Sequence, residues 1–124
     1  MSDQNRILLV EDDPDGQAVV AHVLTYLDYP IDVAGDADEA MAYLSQHMGE
    51  YRAAIIDLAL PGRDGWDLLG EIKGTPETAE IPCIAVTAFH SSKTREDALT
   101  AGFVAYFSKP LEASSFAREL EAIV

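Results

Sequence analysis

Four short stretches of the chain are almost continuously apolar: residues 6–10 (RILLV), 53–58 (AAIIDL), 82–88 (PCIAVTA) and 104–108 (VAYFS). Strands covered on both faces read this way, whereas half-exposed strands alternate. A fifth run, residues 31–35 (IDVAG), carries Asp32 and reads as an edge strand. Between these runs the period becomes helical. Asp13-Pro14 puts an N-cap residue before a proline at the first helical position, and Val20, Val23, Leu24 and Leu27 follow at helical spacing. Residues 36–49 open with a capping box, Asp36 to Glu39, and close at Gly49. A short helix is predicted over 64–74, ending at Gly74, and another from a serine cap over 91–102, ending at Gly102. The last, 112–124, places Ala113, Phe116, Ala117, Leu120 and Ile123 on one face.

Strand and helix thus alternate five times, which implies an α/β fold: parallel strands, right-handed crossovers, helices on both faces. In open sheets of this kind ligands sit beyond the C-terminal ends of the strands, where the strand order reverses. Glu11 and Asp12 follow the first strand, Asp57 closes the apolar part of the third, Thr87 ends the fourth and Lys109 follows the fifth. Five polar groups from four strands are therefore expected on one rim.

Composition narrows the classes. The 124 residues suit one domain spanning 1–124, with no internal repeat. A formal net charge of -14 disfavours direct nucleic-acid binding or docking on an anionic membrane, and favours a cation or a basic partner surface. The single cysteine, Cys83, allows no internal disulfide and reads as a small buried strand residue. The opening MSDQNR lacks the pattern of a secretory leader, and no apolar run is long enough to cross a bilayer. A cytoplasmic location is expected.

The chain resembles the receiver domain of two-component response regulators, through VEDD at 10–13, DLALPGRDG at 57–65, TA at 87–88 and YFSKP at 106–110. The resemblance covers essentially the whole chain and implies a five-stranded parallel sheet of order 2-1-3-4-5 with five helices on both faces, flavodoxin-like. It implies that Asp57 accepts a phosphoryl group from a phosphohistidine, with Mg²⁺ held by Glu11, Asp12, Asp57 and the backbone carbonyl of Ala59. Thr87 and Lys109 would contact the phosphoryl oxygens, and Thr87 with Tyr106 would form the switch. The partners implied are a histidine kinase or phosphotransfer protein and a downstream protein target, with the domain monomeric or weakly dimeric. The signal would leave through the face of the fourth helix, fifth strand and fifth helix. Such a domain is no enzyme beyond its own phosphorylation and dephosphorylation. It could be stand-alone or a part of a larger hybrid kinase or regulator. Departures from the common pattern are Glu11 in place of aspartate, Leu60 where methionine is frequent, and apolar Ala59 and Phe89 where many relatives are polar. The Lys109-Pro110 bond is expected to be cis, from the low trans preference of X–Pro and from the resemblance.

This chemistry explains an otherwise costly sequence. Two unit charges about 4 Å apart repel by roughly 4 kcal/mol at an effective dielectric of 20, so Glu11, Asp12 and Asp57 together need a counter-ion. Mg²⁺ suits them, being small, hard and oxygen-seeking. Plainer readings compete: Glu11, Asp12 and Asp13 as solvated caps (the reading adopted for Asp13), Lys109 as a surface lysine, Thr87 as a strand residue, Tyr106 as packing. His22, His47 and His90 read as structural or exposed, and Trp66 as the anchor of the third helix. Two other function classes share the sheet. A flavodoxin-like binding protein needs a Ser/Thr/Gly-rich loop where this chain has EDDPDG. A phosphatase with an aspartate nucleophile needs a second acid at the position of Ala59.

Overall fold

In a computed structural model, residues 5–124 are described. Most of the stretch read for a leader, residues 1–4, lies outside them. The elements are β1 (Arg6–Val10), α1 (Pro14–Tyr26), β2 (Ile31–Ala34), α2 (Ala37–Gln46), β3 (Tyr51–Asp57), α3 (Gly65–Gly74), β4 (Cys83–Thr87), α4 (Ser92–Ala101), β5 (Ala105–Ser108) and α5 (Ala113–Ile123). All strand pairs are parallel and the order is β2-β1-β3-β4-β5, as expected. The order reverses between β1 and β3, where two crossovers run to opposite sides.

The near-continuous apolar character of the strands has its cause in two cores. Leu8, Val10, Ala54, Ile56 and Ala85 face a cluster that takes in Ala40 and Leu44 of α2, Leu68 and Ile72 of α3, and Ala98 of α4. Ile7, Leu9, Ala53, Ile55, Ile84 and Val86 face the other, with Val20, Val23 and Leu24 of α1 and Phe116 and Leu120 of α5. Alternate residues of each central strand feed alternate faces. Cys83 is fully buried in β4, and burial pushes its thiol up to about 11. Trp66 is partly buried on α3, edge-on to Phe103.

The caps fall where the sequence puts them, with small shifts. Asp13 Oδ1 accepts from Asp15 N–H at 3.2 Å, and Asp36 Oδ1 accepts from Glu39 N–H at 2.8 Å. Glu39 reaches back one residue further than a simple capping box, to Gly35 N–H at 2.7 Å. Helix α2 stops at Gln46 rather than running to Gly49, and α1 stops at Tyr26 with Leu27 as its C-cap. Among the described residues no helix is long and apolar enough to cross a membrane.

Candidate functional site

Strand register assembles the rim. Val10 pairs with Ile56 and Asp57 pairs with Val86, so Glu11 and Thr87 each continue a strand that flanks Asp57. Thr87 pairs with Ser108, and Lys109 N–H donates to the Thr87 carbonyl at 2.8 Å, which fixes where the lysine begins. The Lys109-Pro110 peptide is cis, as expected. Glu11, Asp57 and Thr87 are buried, with 3%, 6% and 2% of their surface exposed, whereas Asp12 is exposed.

The carboxylates of Glu11, Asp12 and Asp57 each offer an oxygen within 4.8 Å of the others. That is an all-oxygen donor set of the kind small hard divalent cations take. Part of the compensation comes from within the chain. Lys109 Nζ donates to Asp57 Oδ2 at 2.9 Å and to Glu11 Oε1. The sequence reading assigned the role of counter-ion to Mg²⁺ alone; here one ammonium meets two of the three carboxylates. Asp57 Oδ1 accepts from the N–H of Ala59 at 2.9 Å, so both its oxygens are held.

The charge balance is incomplete, and the titration behaviour reflects it. Burial, followed by the neighbouring Asp57 carboxylate, pushes the Glu11 carboxyl above its ordinary value despite Lys109. Burial pulls the Lys109 ammonium down, but hydrogen bonds to Glu11 and Asp57 outweigh it and hold it above the usual lysine range. Of the three carboxylates, two share the Lys109 ammonium.

Thr87 Oγ1 accepts from Phe89 N–H at 3.0 Å, a short turn that leaves the hydroxyl proton free to point elsewhere. Tyr106 is half-buried beside the α2–α4 core, and its hydroxyl lies 3.0 Å from His90 Nδ1. No local pattern signals that pair, because His90 lies in the loop before α4 and Tyr106 in β5. Two further residues serve the site without having been singled out. Gln17 Nε2 donates to the Glu11 carbonyl at 2.7 Å. Gly65 lies so close that an added Cβ would stand 2.6 Å from the Asp57 carbonyl oxygen. A glycine directly after a helix cap would have been the signal for the second.

Comparison with known proteins agrees with this geometry. The chain is 33% identical over 109 residues to a 14.6 kDa protein from the sodA1 3′ region of Leptolyngbya boryana, covering 88% of this chain and 82% of that one. It is 32% identical over 118 residues to the response regulator RppA of Synechocystis, covering 95% of this chain but only 50% of RppA. The chain therefore spans about half the length of that relative. A solved structure of the receiver domain of a sensor histidine kinase from Pseudomonas aeruginosa, with a magnesium ion coordinated in its active-site cleft, superposes with a TM-score of 0.84. It is 32% identical and is covered over 95% of both chains. A model of the response regulator receiver domain matches residues 7–121, and the acidic pocket described above lies where that family's fold leads one to look, so the chain belongs to the response regulator receiver domains.

Proposed function

We propose that this receiver domain is a phosphorylation-controlled switch that takes a phosphoryl group onto Asp57 from a phosphohistidine of a histidine kinase or phosphotransfer protein. The observation that carries the reading is the arrangement at Asp57. One buried carboxylate is held by an ammonium and a backbone N–H, with two further carboxylates within 4.8 Å. A group transferred with charge spread over its oxygens asks chiefly for positioning and neutralisation. Asp57 supplies the nucleophilic oxygen; a P–O bond forms, the donor's P–N bond breaks, and the imidazole leaves with that electron pair, protonated on its other nitrogen. Lys109, already on Asp57 Oδ2, follows the new phosphoryl oxygens as a compact positive charge. Thr87 can donate its hydroxyl proton to another of them, since its present bond uses it as an acceptor. Glu11, Asp12 and Asp57, with the Ala59 carbonyl, would hold Mg²⁺, which when bound neutralises charge on the phosphoryl oxygens. On this reading the domain turns over nothing except its own phosphoryl group, and works in the cytoplasm.

The output is read at the face of α4, β5 and α5. Ala98 is the one buried residue of α4, and Leu99 and Val104 are 40% and 51% exposed, so packing restrains this helix weakly. A hydroxyl of Thr87 drawn to the phosphoryl group vacates space beside β5, and Tyr106 exchanges its His90 contact for an inward position. A protein target then binds residues 91–124 of a monomer or weak dimer.

Incubation with acetyl phosphate and Mg²⁺ should add one acid-stable, base-labile phosphoryl group, seen by mass spectrometry and absent from Asp57→Asn. Undiminished labelling of that variant would sink the assignment. Beryllofluoride with Mg²⁺ should also slow amide exchange over 91–106; protection confined to the surroundings of Asp57 would remove the output face and leave the phosphoacceptor.

A further inference from the structure

Gly16 is the third residue of α1, after the cap Asp13, Pro14 and Asp15. Glycine is the poorest helix former after proline, so its place in a first turn needs a reason. Backbone freedom is not the reason: the positive-φ glycines of the described chain are Gly49, Gly62 and Gly102. Space is. A Cβ at Gly16 would stand 2.8 Å from Glu11 Cδ and 3.2 Å from Cγ, and closer still to Oε1. The three nearest atoms it would meet all belong to that one side chain.

Glu11 is held on its other sides. Lys109 Nζ donates to Oε1, the N–H of Asp13 donates to Oε2 at 3.3 Å, and Gln17 holds the Glu11 carbonyl. A glutamate is one methylene longer than the aspartate more common at this point, and the extra length has to be accommodated. We propose that Gly16 is a positioning residue for Glu11: its missing side chain is the space in which the longer acid folds back, reaching Lys109 while staying within 4.8 Å of Asp12 and Asp57. The consequence for cation binding rests on the proposed Mg²⁺ site; the consequence for the pose of Glu11 does not.

With a methyl group at Gly16 the mobile end of Glu11 has to give way, and the backbone need not. Asp57 bars one direction by like-charge repulsion. The open direction is the adjoining cavity of about 330 Å³, whose lining includes Asp13, Asp15, Val19, Val20, Ala88 and Lys109. A carboxylate moved there gives up its present place beside Asp12 and Asp57, and the cation site is left with those two. Helix propensity pulls the opposite way, because alanine improves an ordinary helical position. A fold that is unharmed with a site that is impaired separates the two effects.

The test is a four-protein cycle: wild type, Gly16→Ala, Glu11→Asp and the double variant. In metal-free protein, the NMR signals of the Glu11 carboxyl carbon and the Lys109 ammonium should move on Gly16→Ala. On the Glu11→Asp background the same substitution should leave the Lys109 signal in place. By calorimetric titration with MgCl₂, Gly16→Ala should weaken binding roughly tenfold, the scale for losing a group that orients a ligand, and by less than about twofold on the Glu11→Asp background. Equal losses on both backgrounds, or unmoved signals in Gly16→Ala, would overturn the role of Gly16. If wild type bound no Mg²⁺, the cation reading would fall, and the metal-free spectra would still decide for or against Gly16.

Discussion

Two charged clusters sit toward opposite ends of β1 and β3, the first reaching to β2 and the second to the end of β5, and they are built on different rules. Toward the N-terminal ends, Asp32 of β2 accepts from Arg6 Nη1 at 2.9 and 3.0 Å and from the Tyr51 hydroxyl at 2.7 Å. Glu50 lies 3.9 Å from Arg6 and 3.3 Å from His47. The central carboxylate there takes two hydrogen bonds from one guanidinium and a third from a hydroxyl. At the C-terminal ends, Glu11, Asp12 and Asp57 crowd within 4.8 Å of one another, and among the described residues Lys109 is the side-chain cation paired with Glu11 and Asp57. A saturated cluster serves the fold. An undersaturated one, whose donor set fits a small hard cation, keeps a net attraction for positive charge, and that shortfall separates a site from a strut.

The largest effect expected is that of Lys109→Met. It leaves two buried carboxylates facing each other, and should lower the stability of metal-free protein by about 2 kcal/mol at neutral pH; fully buried pairs lose more, but Lys109 is partly exposed. Millimolar MgCl₂ should restore much of that loss, through binding to the folded state alone. Chemical denaturation with and without MgCl₂ reads both numbers, and a loss indifferent to Mg²⁺ would make Lys109 a strut like Arg6. Next comes Asp32→Ala, which strips Arg6 and Tyr51 of their shared acceptor. It should cost about 1.5 kcal/mol, the scale for hydrogen bonds to a charged group, and MgCl₂ should not recover it.

How far the sequence reveals each cluster follows from its geometry. The acidic rim is legible because strand ends bring it together: Glu11, Asp57, Thr87 and Lys109 each stand at a break from apolar run to turn, and parallel topology does the rest. The double contact of Lys109 is not legible, since it joins residues 98 positions apart and depends on how a lysine side chain folds. In the sequence Asp32 marks no more than an edge strand. Its partner Arg6 looked like the flank of an apolar run, and Tyr51 lay just before the apolar run read as strand three. Helix ends drifted by a few residues wherever caps compete, as at His47 against Gly49, because hydrogen bonds to Tyr43 close α2 first. Gly16 carries no local signature, as its role lies wholly in one side chain that folds against it.

A smaller effect should come from Asp12→Ala. This acid is exposed, so removing it relieves repulsion without leaving a buried partner unpaired. Metal-free stability should rise by up to about 0.5 kcal/mol, while the stabilisation gained from MgCl₂ should shrink. A clear destabilisation without metal would instead make Asp12 part of the helix cap.

The smallest effect is invisible at neutral pH and belongs to the saturated cluster. Burial first, then the Asp32 carboxylate that accepts its proton, pushes the Tyr51 hydroxyl far above its ordinary range, and Arg6 offsets only part of this. Tyr51 is an acid whose value is raised on folding, so its contribution is fully present below about pH 10 and is lost as pH climbs through the raised value. Of the five tyrosines, Tyr51 should therefore contribute tyrosinate absorbance only when the fold opens. Alkaline difference spectra of wild type against Tyr51→Phe should show this component rising in one cooperative step, together with loss of helical circular dichroism. A gradual component that titrates near pH 10 while the helices persist would mean that Asp32 does not hold the Tyr51 proton, and the contrast between the two clusters would lose its structural half.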